Sequence, residues 1–131
     1  MGIFKFLFKS FFPAEGRLTA SDVNQIRGSW GKVEEQLSFG KLSNLQQAVI
    51  LADKTVDYAL RAFYPNTVTM GDRLKLAKQK FQGDLKAYDD LWYAHKIRNE
   101  IAHNIDFYLP SFEAKSVVEK FRNALKYLGA I

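Results

Sequence analysis

The chain has 131 residues, 47% hydrophobic and 25% charged, which gives room for one domain with a buried core and too little for two. With no cysteine it forms no disulfide, thiolate zinc site or cysteine nucleophile, which fits a reducing cytoplasm, and with two histidines a zinc site would need carboxylates to complete it. A formal charge of +5 and a pI near 9.4 suit a polyanion such as RNA or an anionic membrane surface, although a soluble domain that is merely basic has the same balance.

Residues 1–16 read as an N-terminal arm and 17–131 as the helical domain, with Pro13 and Gly16 at the junction. The first twelve residues hold five Phe, one Leu and one Ile, interrupted by Lys5 and Lys9. A span needs about 20 apolar residues, so this run is too short to cross a bilayer. Its lysines argue against a cleaved signal peptide, and Phe6 stands where a myristoylation signal wants Ser or Thr. On a helix Lys5 and Lys9 share one side, the pattern of a weak interfacial anchor peripheral to a membrane. The other reading, favoured by so short a segment, has the arm docking its phenylalanines on its own domain or on a second subunit.

The first helix is expected from an N-cap at Ser21, followed by Asp22, to about Leu37, weakened by Gly28 and Gly31 and ended at Gly40. The second is the clearest. Ser43 can cap it, and Leu45, Val49, Ala52, Val56, Ala59, Leu60 and Phe63 recur at spacings of three and four before Pro65 and Asn66. The third opens at Thr69, with Asp72 in a capping-box-like relation, buries Leu74, Ala77 and Phe81, and breaks at Gly83. The fourth runs from about Leu85 to His103. A loop over residues 104–110 leads to the fifth, which follows Ser111, carries Phe112, Val117 or Val118, Phe121, Leu125 and Leu128, and stops near Gly129. No period-two strand and no internal repeat stands out. The expected fold is all-α, an up-and-down bundle of four to five helices.

The fourth helix carries the candidate chemistry. On a wheel of about 100° per residue with Arg98 at zero, Leu91, His95, Tyr88, Asn99, Trp92, Ala102 and His103 fall within an arc of about 140°. Ala94, Ile97, Ile101 and Ile105 make a neighbouring aliphatic arc, expected to face the core, and Asp89, Lys96 and Glu100 a solvated one. Burying Arg and His unpaired is costly, so the mixed arc is expected to line a cleft or a subunit interface.

An imidazole titrates near neutral pH, so His103 suits proton transfer at a ribose hydroxyl. A guanidinium matches phosphate oxygens in a fork, so Arg98 suits a scissile phosphate. Asn99, four residues before His103, can orient the imidazole or a phosphate oxygen. These parts suit metal-independent RNA cleavage by attack of the 2′-hydroxyl on the adjacent phosphorus. Arg98 and His103 stand about 140° apart on an ideal wheel, so a second copy, or a frayed last turn, has to close the site. The plainer alternative is that both cations complement the helix C-terminus, with Arg98 paired to Asp53 or Asp57. His95 reads as a packed or hydrogen-bonded histidine in a supporting role.

The stretch Trp92-Tyr93-Ala94-His95-Lys96-Ile97-Arg98-Asn99-Glu100-Ile101-Ala102-His103 resembles the signature of HEPN domains: an arginine, a polar residue after it, and a histidine after four to six intervening residues. Arg98, Asn99 and His103 fit those places with four residues between Arg and His. Residues 47–60 resemble the family's earlier long helix and residues 69–74 the short segment often found between the two, so the likeness covers roughly residues 21–128. The resemblance implies a helical bundle that dimerises to set two motifs in one composite cleft. It implies a metal-independent ribonuclease of toxin–antitoxin, abortive-infection or CRISPR-linked systems, or else a non-catalytic nucleotide-binding or interaction module, sometimes beside a minimal nucleotidyltransferase. No cofactor is implied. The aromatic arm departs from the family pattern, which does not require it.

The homodimeric ribonuclease is the leading expectation, with Arg98 holding phosphate, His103 as acid–base residue, Asn99 assisting and Asp53 steadying Arg98. The rival is a membrane-apposed or partner-bound module without catalysis. Arg73, Lys75, Lys78 and Lys80 are further candidates for RNA-backbone contact, otherwise a solvated face. Trp92 and Tyr88 can stack a base, although interface packing is the commoner use of such aromatics.

Overall fold

The reciprocal cap of the first helix shows how local chemistry sets the helix boundaries. Thr19 Oγ1 accepts from the Asp22 amide at 3.1 Å, and Asp22 Oδ2 accepts from the Thr19 amide at 3.0 Å. Helix α1 therefore covers Ala20–Phe39 and begins before Ser21, which stands inside its first turn. A box needs cap and acid three residues apart, and Thr19 with Asp22 supplies that spacing. Gly28 and Gly31 do not break α1, because they lie on its exposed side away from Ile26, Trp30 and Val33. It ends at Gly40, whose φ of 73° is the left-handed conformation that glycine adopts without a Cβ penalty.

The computed structural model describes residues 15–131, and among these it is an all-helical bundle of five helices with no strand. After α1 come α2 (Leu42–Phe63), α3 (Met70–Ala77), α4 (Leu85–His103) and α5 (Ser111–Tyr127). Only Gly40 and Lys41 join α1 to α2, so α2 starts before Ser43, and its N-cap Lys41 makes no side-chain cap bond. The short turn makes α1 and α2 antiparallel, which pairs Asn44 with Gln36 and Tyr58 with Asp22. Helix α2 is the hub of the bundle, packing on each of the other four helices. Its buried stripe runs from Leu45 through Val49, Ala52, Val56 and Leu60 to Phe63.

Thr69 caps α3 as expected, accepting from the Asp72 amide at 3.1 Å. The regular helix is short, and Phe81 reaches the core from the turns that follow it. Helices α4 and α5 are antiparallel, with Tyr93 bonded to Glu113 near one end and the Gly83 amide to Tyr127 at the other. Val117 and Val118 are both buried, with Phe121 and Leu125, whereas Phe112 is 77% exposed. Phe112 precedes buried Ala114 by two residues, about 200° of rotation, which sets it on the opposite face. Ile105 is likewise 99% exposed, because α4 has ended before it.

The face that α4 buries differs from the one its aliphatic residues predict. Its buried residues are Ala87, Tyr88, Leu91, Ala94 and His95, which include three members of the mixed arc and only Ala94 of the aliphatic one. Ile97 and Ile101 are half-buried at the margin. Polar groups enter the core here because each has a partner: Tyr88 donates to the Leu74 carbonyl at 2.9 Å, and His95 meets Asp53.

Residues 15 and 16 anchor the chain to the far end of α2. The Gly16 amide donates to the Phe63 carbonyl at 2.7 Å, and Glu15 pairs with Lys80. A Cβ on Gly16 would run into the Ala62 carbonyl oxygen, so only glycine fits this crossing. The amphipathic pattern of residues 1–12 lies outside the described residues. Among the described residues no helix is long and apolar enough to cross a membrane.

Candidate functional site

Two carboxylates project from one face of α2, one turn apart at Asp53 and Asp57. Asp53 is buried, at 4% exposure, under the middle of α4. Its Oδ1 lies 2.8 Å from Nδ1 of His95, and because a carboxylate only accepts, the ring proton is assigned to Nδ1. The other ring nitrogen then accepts from Asn99 Nδ2 at 3.4 Å, and Asn99 Oδ1 accepts from Arg98 Nη1 at 3.2 Å. Arg98 Nε comes back to within 3.4 Å of Asp53 Oδ2. Four side chains thus make a ring of polar contacts: Asp53, His95, Asn99, Arg98.

The ring is uneven. The Asp53–His95 contact is short and buried, while Arg98 Nε, although within ion-pair range of Asp53, has no acceptor in hydrogen-bond geometry. About one third of the Arg98 side chain, 32%, is exposed. It stands at the edge of a cleft of about 410 Å³ between α2 and α4, whose other polar walls are Asp53, Lys54, Asp57, Arg61 and His95. The cleft thus presents three fixed cations over two carboxylates, with the cations toward solvent. Such a mouth can receive a phosphate on Arg98, oriented by the fork geometry of the guanidinium.

Of the residues singled out from sequence, Asp53, His95, Arg98 and Asn99 come together directly. His103 does not join them. It is the last residue of α4 and is exposed. Five residues along an ideal helix turn it about 140° from Arg98 and raise it about 7.5 Å, so Arg98 leans toward α2 while His103 looks outward. Within one chain the guanidinium and this imidazole serve different surfaces.

The basic run of α3 and the turns that follow it divides. Arg73 is no RNA contact: it is 2% exposed, and its guanidinium meets Asp57 with Nε at 2.7 Å and Nη2 at 3.3 Å. Its Nη1 donates to both the carbonyl and the hydroxyl of Thr67. The two carboxylates of the second helix thus each take an arginine, Asp57 that of Arg73 and Asp53 that of Arg98, the latter being the pairing that the plainer reading of Arg98 expects. Lys80 is engaged by Glu15 and lies 4.2 Å from the centre of the Phe63 ring. Lys75 and Lys78 are exposed. Trp92 is half-buried, its ring steeply inclined to that of His95 at 69° with centroids 6.3 Å apart, and Tyr88 is inside the core.

Lys54 and Arg61 were not among the residues that the sequence marked, yet they furnish the cations of the α2 wall. The signal was present in the second helix. Ile50, Lys54, Asp57 and Arg61 recur at four, three and four, a charged flank beside the apolar stripe. Among the described residues no group of three or more His, Asp or Glu side chains is gathered as for a metal ion. Comparison with protein-family models, with curated proteins and with solved structures finds no match to this chain.

Proposed function

We propose that this chain is a HEPN-type endoribonuclease that acts without a metal as a homodimer, of the kind used in toxin–antitoxin and defence systems. The observation that carries this reading is the Asp53–His95–Asn99–Arg98 ring. It holds the arginine of an Arg-Asn-x3-His motif at a cleft mouth, and the histidine of the motif stands free at the helix end. In the reaction, Arg98 binds the scissile phosphate and stabilises charge that builds on its oxygens. His103 serves as the acid–base group. The ribose 2′-oxygen loses its proton and bonds to phosphorus, the bond from phosphorus to the 5′-oxygen breaks, and that oxygen takes up a proton. The products are a 2′,3′-cyclic phosphate and a 5′-hydroxyl. Asn99 orients the guanidinium, and Asp53 anchors the ring from below. The second copy sets its His103 against the Arg98 cleft of the first.

The test is single-stranded RNA incubated with the purified full-length protein in the presence of chelator. Cleavage is expected, with His103→Ala lowering the rate at least about 100-fold while the helical circular dichroism stays unchanged. Equal RNA survival with wild type and variant refutes the reading. A strictly monomeric protein that cleaves at full rate refutes its dimeric form.

A second reading is favoured by one observation. Asp53 already lies against Arg98, and a single chain keeps Arg98 and His103 on separate surfaces. A non-catalytic HEPN-like module bound to an antitoxin or a nucleotidyltransferase would need no more than that. Retained RNA binding without cleavage in the same assay supports it.

A further inference from the structure

Trp92, Lys96, Asn99 and His103 follow one another at i, i+4, i+7 and i+11, and on an ideal helix they fall in an arc of about 60°. This arc runs along the border of the exposed side of α4: Lys96 and His103 are exposed, Trp92 and Asn99 half-buried. At its start an open hollow of about 500 Å³ is lined by Trp92, Tyr93, Lys96 and Asp89. Two aromatic rings line it, Trp92 half-buried with its ring near His95 and Tyr93 43% exposed. The Tyr93 hydroxyl donates to Glu113 Oε1 at 2.6 Å, and this bond holds the phenol above its ordinary pKa and fixes the ring's outer end. Two ammonium groups hang over these rings: Lys96 Nζ lies 5.9 Å from the Trp92 centroid and Lys120 Nζ 5.8 Å from that of Tyr93.

We propose that this hollow is a base-stacking subsite for single-stranded RNA, in which an unpaired base lies on Trp92 and Tyr93 while Lys96 and Lys120 meet the flanking phosphates. The inference rests on the ribonuclease reading for its substrate class and adds the place where the strand is gripped. The stripe leads along α4 from the hollow to His103, about 16 Å away, a separation of a few nucleotides.

The chemistry selects this occupant. A base has a flat face for each ring, and stacking on aromatics is tolerant of sequence. An apolar protein helix would leave the two ammonium groups over its own surface, whereas a nucleic-acid strand brings phosphates to them. A base that takes the face of Trp92 displaces Lys96 from its cation–π position, and a phosphate is the natural new partner for that ammonium. The carboxylates facing the hollow are Asp89, at its rim, and Glu113, engaged by Tyr93. Asp89 repels phosphate but accepts from the amino edge of a base, so the backbone is placed on the lysine side.

The experiment separates this subsite from catalysis by using an oligonucleotide that cannot be cut. A 2′-O-methyl oligoadenylate hexamer has no free 2′-hydroxyl. It is titrated into full-length protein carrying Trp30→Phe, so that emission comes from Trp92; Trp30 is buried and remote from solvent at 5% exposure. Saturable quenching is expected, at a midpoint set by oligonucleotide and not by protein concentration. Trp92→Leu and Tyr93→Leu, read by anisotropy of a labelled hexamer, should each weaken binding about 5- to 100-fold. Lys96→Ala should lower the salt dependence by about one counterion. Tyr93 and Lys96 are exposed, so their variants keep the test valid if Trp92→Leu misfolds. Absent quenching, or unchanged binding in the Tyr93 and Lys96 variants, overturns the subsite. Quenching that follows protein concentration also overturns it, since a second copy then covers the hollow. RNA cleavage that depends on His103 but ignores Tyr93→Leu sinks the subsite and leaves the ribonuclease standing; binding with quenching but no cleavage does the reverse.

Discussion

Asp53 and Asp57 sit one turn apart on α2, and each receives an arginine from another helix, yet the two clusters differ in how completely they close. At Asp57 the Arg73 guanidinium is buried and uses Nε, Nη1 and Nη2 on Asp57 and Thr67, with Arg61 adding a second cation at 3.2 Å. At Asp53 the short contact belongs to His95, and Arg98 keeps Nε without an acceptor and a third of its side chain in solvent. A guanidinium whose three nitrogens all donate inside its own chain holds helices together. At Arg98 the Nε is itself buried, and it is the solvent-exposed third of the side chain at the cleft mouth that is available to a ligand. The difference separates a scaffold pair from a candidate binding group more surely than residue type does, since both are Arg–Asp pairs on the same helix face.

Removing the two arginines in turn should separate the clusters most sharply. Arg73→Ala leaves Asp57 with only the exposed Arg61 and two Thr67 acceptors unanswered, and breaking a buried pair of this kind costs about 3–5 kcal/mol. Arg98→Ala removes a partly exposed, imperfect pair and should cost under about 1 kcal/mol while abolishing RNA cleavage. Urea unfolding of both variants decides. Equal destabilisation would mean that Arg98 is as structural as Arg73, and the functional reading of the open cluster would lose its basis.

The next largest effect concerns Asp53 itself. Asp53→Ala orphans the Nδ1 donor of buried His95, which should destabilise by about 1–3 kcal/mol. Asp53→Asn keeps an acceptor at that position and should recover most of the loss, yet leave Arg98 without its countercharge. The two variants therefore separate packing from function: near-normal stability of Asp53→Asn with altered RNA affinity places the carboxylate's charge in the site. If RNA affinity in Asp53→Asn stays at the wild-type value, Asp53 has only a packing role.

Much of this was open to the sequence, and the failures have physical causes. The spacing of apolar residues in α2 and the limits of α4 at Leu85 and His103 follow from local periodicity and breakers, and the structure has them there. A carboxylate of the second helix near Arg98 was legible, but the choice between Asp53 and Asp57, one turn apart, was not, since it depends on how α4 crosses α2. His95 as a packed, hydrogen-bonded histidine was legible too, but the rest of the buried face of α4 was not, because the acceptors that admit Tyr88 and His95 to the core, on Leu74 and Asp53, come from other elements. Arg73 misled for the same reason: one helix's charges say nothing of a carboxylate that arrives from another. Phe112 failed by phase, since its apolar character was counted without its rotation relative to Ala114. The hollow beside Trp92 needed α5, whose Lys120 and Glu113 reach Tyr93 only after the chain has turned back.

The smallest effect extends the comparison to the closed end of α2 and is read by pH. Tyr64 follows α2, and its carbonyl accepts from the Thr67 hydroxyl that also faces Arg73. Burial, and after it the Glu15 carboxylate, raise the Tyr64 phenol from its usual 10.0 to about 12. The unfolded chain then releases this proton near pH 10 and the folded chain only near 12, so between them the unfolded state holds fewer protons. Stability from this group is fully present below pH 10 and is lost as the pH climbs toward 12. Tyr64→Phe removes that part of the alkaline decline, and the difference between the two proteins' urea midpoints, followed from pH 9 upward, should widen in the variant's favour. Tyr58 and Tyr93 are raised as well and are common to both proteins, so they cancel in the difference. Parallel curves would mean that the end of α2 which carries Gly16, Glu15 and Tyr64 opens to water, and that the contrast between a closed and an open cluster is confined to Arg73 alone.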